Sequence, residues 1–248
     1  SLEFTKKFQN TRNSLADSVD KIIKAGLRPM AGFIIGFDGE KQGAGDRIVR
    51  FAEQTAIPTT TFAMLQALPN TALWHRLKRE NRLLDESKGN INQTTLMNFI
   101  PTRPLEDIAN EYVEAFWELY DPHGYLDRNY RCFLKLGAPK CKTAFKLPNL
   151  VDLKALAIVI WRQGIQRDTR FRFWHHAFGI LRHNPAVFEH YITLCAHNEH
   201  FLQYREIVRQ EIGEQLRDYL SRQQQEKVEA TVLTPTAIAA ETEKVLAS

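Results

Sequence analysis

Cysteine is scarce: three residues, Cys132, Cys141 and Cys195, stand in a chain of 248. Their spacings match neither a zinc-ligand pattern nor a disulfide framework, so the chain reads as the product of a reducing compartment and is expected to be cytoplasmic. Long apolar runs are missing too. The longest, Ala155 to Trp161, is far too short to cross a bilayer. No basic-then-apolar leader opens the chain. It starts at Ser1, without methionine, and runs straight into a helical pattern, which predicts a piece of a longer polypeptide. Charge of one sign is weak: a net +4 does not by itself indicate nucleic acid. No internal repeat is visible. What remains is ordinary for a globular protein, 44% hydrophobic and 25% charged, with enough length for one large or two modest domains.

Periodicity divides the chain at about residue 80. Ser14 to Ala25 predicts a helix, with Leu15, Val19, Ile22 and Ile23 on one stripe, Asn13 or Ser14 as cap and Gly26 as stop. Arg28 to Phe37 predicts a strand, apolar throughout as a parallel strand covered on both faces would be. A polar, Gly-rich loop spans Asp38 to Gly45. Then come a helix over Asp46 to Thr55, a strand over Thr59 to Leu68, and a Pro69-Asn70-Thr71 turn whose Thr71 can cap a helix over Ala72 to Glu80. This alternation implies a parallel sheet with right-handed crossovers. Two strands alone do not make a stable sheet, so further strands are expected from upstream sequence or a partner.

Beyond an irregular stretch, Asn81 to Arg103, the period is helical. Helices are predicted over Leu105 to Tyr120, after Pro122, over Leu150 to Gln166, over Thr169 to Arg182, and from Pro185 to about Arg222. Gly137 to Pro148 reads as a basic linker. From Gln223 the composition turns to Gln, Glu, Ala and Thr and predicts a flexible tail.

The first strand holds the clearest chemical signal. Gly32-x-Ile34-x-Gly36 places two glycines and one branched apolar residue on the same face, because strand side chains alternate. Glycine lets a planar ligand lie against the backbone. In α/β folds the C-terminal ends of strands are where ligands bind. The competing reading, a bulge or tight helix–sheet packing, is about as good for the glycines alone.

The segment Gly32-Phe33-Ile34-Ile35-Gly36-Phe37-Asp38-Gly39-Glu40 resembles the fifth-strand motif of radical S-adenosylmethionine enzymes, G-x-I-x-G-x-x-E, with the acidic residue one place late at Glu40 and Gly39 at the motif position. Met64 to Trp74 resembles that family's sixth strand and its Pro-Gly-Thr-Pro-Leu turn, with Asn70 for Gly and Ala72 for Pro. Ser1-Leu2 with Lys6 to Thr11 looks like the helix after the fourth strand. Asn98-Phe99-Ile100-Pro101 and Tyr120-Asp121-Pro122 look like the C-terminal region of the subgroup with an N-terminal cobalamin-binding domain. The likeness is good to about residue 136 and weak beyond.

This resemblance implies a fold and a site. The fold is α/β followed by all-α: the C-terminal β/α units of a partial TIM-type barrel over residues 1–84, a helical C-terminal domain over 85–222, and a tail over 223–248. The cofactor is S-adenosylmethionine, with Gly32, Ile34 and Gly36 beside its adenine and Leu65, Gln66, Ala67 and Leu68 presenting backbone groups to it. Asp38 and Glu40, in the loop at the mouth, are the substrate candidates; no catalytic residue is indicated. A [4Fe-4S] cluster and cobalamin belong to parts of the parent outside this chain, since the C-x-x-x-C-x-x-C loop is absent and none of the three cysteines replaces it by spacing. The partners implied are the N-terminal barrel and cobalamin domain of the same polypeptide and a small-molecule or lipid substrate. The reaction is radical chemistry on an unactivated carbon, with methyl transfer one form. Hopanoid methylation is known among similar proteins, though nothing here selects that substrate.

Two patterns stand outside the motif. His176, His183, His190 and His197 recur every seven residues, which invites a metal reading. Asn184-Pro185 should break the helix between them, however, and residues seven apart on one helix lie roughly 10 Å apart along its axis. Structural or surface roles are therefore favoured. Trp161 to Arg182 holds five arginines, one aspartate, and Phe171, Phe173, Trp174 and Phe178. An aromatic core face with a solvated arginine face is the plain reading. Contact with the parent's other domains or a peripheral membrane contact is the alternative, and nucleic acid the weakest. Against the enzyme stands a non-catalytic helical interaction module.

Overall fold

The computed structural model describes residues 14–84, 92–137 and 149–246, with side chains to 228. Its N-terminal part alternates as the periodicity predicts: α1 (Leu15–Lys24), β1 (Met30–Ile35), α2 (Ala44–Thr55), β2 (Thr59–Met64) and α3 (Ala72–Arg79). The caps are those read from sequence. Ser14 Oγ accepts from the Asp17 N–H, and Thr71 Oγ1 accepts from the Trp74 N–H at 3.2 Å. β1 and β2 pair in parallel, Met30 opposite Thr59 through Ile35 opposite Met64, as a two-stranded sheet.

Helices follow: α4 (Leu105–Leu119), α5 (Pro122–Lys135), α6 (Leu150–Trp161), α7 (Arg170–His183) and α8 (Phe188–Leu246). A π-helical turn, Arg162–Gln166, joins α6 to α7, and a short 3-10 turn, Pro185–Val187, separates α7 from α8 where the Asn-Pro pair predicts a break. The basic linker, the N-terminal lysines and the Lys6 to Thr11 segment lie outside the described residues, apart from Gly137. α8 continues past Arg222, where the sequence predicts a tail. From Glu214 to Val228 the chain is rich in Gln, Glu, Arg and Leu and has no glycine or proline to stop a helix.

Two apolar cores form. The first gathers Ile35, Phe62 and Met64 from the sheet, Val49 and Ala52 from α2, Ile108, Tyr112 and Phe116 from α4, and Val208 and Ile212 from α8. It draws on residues from both sides of position 84. The α2–α4 contact is close because residue 45 is glycine: a Cβ there would meet the Glu111 carbonyl oxygen at 2.7 Å and Ala115 Cβ at 2.9 Å. Tyr112 donates to the Phe62 carbonyl at 2.8 Å, and Tyr120 hydrogen-bonds the Thr60 carbonyl. The second core gathers Ile23, Leu126, Phe133, Val159, Phe173, Ile180, Tyr191 and Cys195. A half-buried ion pair joins α5 to α2. Arg128, fully buried on α5, holds Glu53 of α2 at 2.5 Å and the Leu119 carbonyl at 2.7 Å.

β1 departs from the sequence reading in one respect. Only the face carrying Ala31, Phe33 and Ile35 is packed. Met30 and Ile34, on the other face with Gly32, are 72% and 44% exposed. No described element covers that side.

Candidate functional site

The bare face of the sheet and the loops at its C-terminal edge form the candidate site. Gly32 lies opposite Thr61, and a Cβ at residue 32 would sit 3.3 Å from Thr61 Oγ1. Met30, Gly32 and Ile34 thus form an apolar strip with no side chain at its middle and a hydroxyl beside the gap. Such a surface accepts the face of a flat ligand by dispersion contact.

β1 gives way to a turn at Gly36, whose φ of +99° suits glycine. A Cβ there would lie 2.8 Å from Met97 Cε, so the neighbouring methionine closes over the glycine. The Gly36 N–H donates to Glu40 Oε2 at 2.8 Å. Burial raises the Glu40 carboxyl above the usual range, opposed by that N–H and by the charges of Arg103 and Arg47. Asp38 points the other way. It accepts from Arg82 Nη2 at 2.7 Å and Arg76 Nη2 at 2.6 Å, and the Arg82 hydrogen bond holds its carboxyl below the usual range. The loop closes on α2, where the N–H groups of Gly43 and Ala44 donate to Glu111 at 3.0 and 3.3 Å. Burial pushes Glu111 up, but Arg103 and these two donors outweigh it and its carboxyl is lowered.

The end of β2 is held from the side by the 94–98 segment. Asn98 Oδ1 accepts from the Ala67 N–H at 2.8 Å, and Asn98 Nδ2 donates to the Ala67 carbonyl at 3.0 Å. Gln66 Nε2 donates to the Leu96 carbonyl at 3.0 Å, while Gln66 Oε1 is buried with no partner among the described residues. Gln215 of α8 supports the segment, accepting from the Leu96 N–H at 3.0 Å and donating to the Thr94 carbonyl at 2.7 Å.

The sequence-predicted residues therefore divide. Gly32 and Ile34 share the open face. Gly36 sits at its end, under Met97. The Leu65 N–H is spent on the Ile35 carbonyl at 2.8 Å, both backbone groups of Ala67 are taken by Asn98, and the Leu68 carbonyl accepts from Thr71. Asp38 and Glu40 are each engaged within the chain. Sequence reasoning passed over Asn98, Met97, Arg76 and Arg82. Asn98 had a signal, the Asn-Phe-Ile-Pro segment; the arginines had none, since their partner Asp38 lies about 40 residues away.

The four histidines do not converge. His176 is buried, stacks on Tyr130 with ring centres 4.3 Å apart and lies 3.1 Å from Asp127 Oδ1. Burial lowers its pKa to about 4. His183, His190 and His197 are exposed. Among the described residues no group of three or more His, Cys, Asp and Glu is placed to hold a metal ion.

The stretch from α3 into α8, residues 71–214, which leaves out both strands, is matched by one family, and the chain belongs to it: the domain of unknown function DUF4070. Two curated proteins are similar. An uncharacterized methyltransferase of Synechocystis sp. is 98% identical over all 248 residues, which are 46% of its length. The hopanoid C-2 methylase of Rhodopseudomonas palustris is 28% identical over 178 residues, 69% of this chain and 32% of that protein. The chain thus spans half or less of the curated relatives it matches. No solved structure matches.

Proposed function

We propose that the chain is the C-terminal part of a cobalamin-dependent radical S-adenosylmethionine methyltransferase, contributing the last two β/α units of its partial barrel and its helical domain. The observation that carries this reading is the bare face of a parallel strand pair, with Gly32 and Ile34 on it. A two-stranded sheet with one apolar face open is incomplete by itself. The strand motifs, and relatives named methyltransferase and hopanoid C-2 methylase, give support.

In this reading Gly32 leaves room for the adenine ring of S-adenosylmethionine, Ile34 packs on it and Thr61 borders it. Gly36 and the backbone from Leu65 to Leu68 mark the end of the same surface. The orphaned Oε1 of Gln66 fits an acceptor turned toward a ligand or its hydration. Asp38 and Glu40 lie at the substrate edge. An iron–sulfur cluster does not fit the described cysteines. Cys132 and Cys195 are buried, and burial pushes their thiols up to about 11 and about 12. A cluster needs thiolates. The [4Fe-4S] cluster and cobalamin are therefore assigned to the parent's N-terminal barrel and cobalamin domain. Bound there, they and S-adenosylmethionine supply radical methyl transfer to an unactivated carbon of a small-molecule or lipid substrate.

Equilibrium dialysis of S-adenosylmethionine against the full-length protein tests the reading. Gly32→Val and Ile34→Asp, both on the open face, are expected to weaken binding at least about tenfold, a loss of about 1.4 kcal/mol, with helix content unchanged. Wild-type affinity in both variants would refute it.

A further inference from the structure

The hairpin of α6, the π-helical turn and α7 presents an apolar surface that the methyltransferase reading does not use. α6 is apolar on nearly every side, a composition normally found in buried helices. It nevertheless meets the second core through little more than Val159 and Leu156. Leu150, Val151 and Trp161 are 85%, 74% and 56% exposed, with Leu153 and Ile158 exposed beside them. Beyond the turn, Ile165, Phe171 and Phe178 are exposed as well, so α7 turns only part of its aromatic set, Phe173 above all, into the core. A shallow depression of about 500 Å³ lined by Lys154, Ala157, Ile158, Trp161, Arg162 and Gln166 runs along this face, so two cations share its lining with the exposed indole.

The charges narrow the chemistry that would suit the surface. Lys154, Arg170 and Arg182 have no acidic partner among the described residues, and Arg162 reaches Glu199 only at 3.8 Å. Arg170 lies over the Phe171 ring, 4.9 Å from its centre. The acids of the hairpin are Asp152, used in the α6 capping box, and Asp168. Exposed aliphatic and aromatic residues interleaved with unpaired cations suit a surface that is apolar inside and anionic at its boundary. A nucleic acid would take the arginines and rings but has nothing to place on Leu150, Val151, Leu153 and Ile158. The packed face of the sheet belongs to the other core, so its open face is a separate surface. No helix among the described residues is long and apolar enough to span a membrane, so the contact is peripheral.

We propose that the α6–α7 hairpin seats the protein on an anionic lipid bilayer, Leu150, Trp161 and Phe171 entering the headgroup boundary while Lys154, Arg162 and Arg170 meet lipid phosphates.

Flotation of the full-length protein with phosphatidylcholine vesicles, with and without phosphatidylglycerol, tests this separately from S-adenosylmethionine binding. The protein is expected to float with the anionic vesicles, less with phosphatidylcholine alone, and less as salt rises. Lys154→Gln and Arg170→Gln should each weaken binding about fivefold, and Trp161→Glu should release the protein. Trp161→Phe keeps the apolar contact, so it should still float while losing the quenching of indole emission by brominated acyl chains. Several results overturn the proposal: no flotation of the wild type, as when the rest of the polypeptide covers the hairpin; equal flotation of Trp161→Glu; a change of oligomeric state in that variant; or oligonucleotide binding that depends on the same residues in place of lipid binding.

Discussion

Asp38 and Glu40 stand two residues apart and are held in opposite ways. Two guanidinium groups favour the Asp38 carboxylate, while burial disfavours that of Glu40 despite the Gly36 N–H it accepts. Their pH signs therefore differ. Asp38, lowered in the fold, contributes stability above its unfolded pKa and loses it as pH falls through the folded value. Glu40, raised in the fold, contributes below its unfolded pKa and loses that as pH rises through the folded value. Glu40→Gln keeps an oxygen for the Gly36 N–H and removes the titration. It is expected to match or exceed the wild type in urea at pH 7 and to converge with it in acid. Glu40→Ala, which loses the acceptor, should fall below by about 1 kcal/mol. A Glu40→Gln protein weaker than the wild type at pH 7 would show that the carboxylate's charge is needed where it sits. His176 adds a second acid sensitivity. Its pKa, lowered to about 4 by burial, gives stability present above the ordinary histidine value and lost as pH falls toward 4. His176→Gln should flatten the stability profile over that interval.

Among the elements, the end of β2 depends on a side chain from a different segment. Asn98 supplies both a donor and an acceptor to Ala67, whose backbone is fully buried. Asn98→Ala leaves two buried groups unpaired at about 1–3 kcal/mol each. Asn98→Asp keeps the acceptor and, at a pH low enough to protonate its carboxyl, also offers an O–H to the Ala67 carbonyl, so under those conditions it should lose less. Urea midpoints at that pH that place the two variants in the reverse order would refute this account. The same residue marks how far the sequence reads. Helix and strand positions were legible because their signals are local: the alternation to residue 80, the Ser14 and Thr71 caps, and the Pro185 break. The apolar character of β1 was legible as well, but not that only Ala31, Phe33 and Ile35 would be packed, because apolar sequence does not say which neighbour is present. α6 is a similar case: apolar on nearly every side, it leaves Leu150, Val151 and Trp161 in solvent. Long-range polar pairing was not legible at all. Asp38 with Arg82, Glu111 with the Gly43 N–H and Gln215 with Leu96 join positions 44 to 119 residues apart, and no periodicity records them.

Across the whole molecule, α8 links the two cores. Its early residues Tyr191 and Cys195 lie in the second, and Val208 and Ile212, about four turns further on, lie in the first. Phe201 and Tyr204 bridge the interval, with Phe201 stacked on Tyr120 at 4.1 Å between ring centres. Arg128 adds a second tie through Glu53. A continuous helix does not bend to let one core loosen alone, so the cores are expected to unfold as one cooperative unit. Ile212→Ala should cost about 2–5 kcal/mol and leave a single thermal transition at lower temperature. The decisive readout is far from the substitution. Amides of α7, in the other core, should exchange faster with solvent by the same free energy as those of α4, because both become exposed only through global opening. Faster exchange in α4 with α7 unchanged would mean that the sheet unit opens without the helical one. α8 would then be a tether between independent parts, and the site on the sheet would be free to move relative to the α6–α7 hairpin.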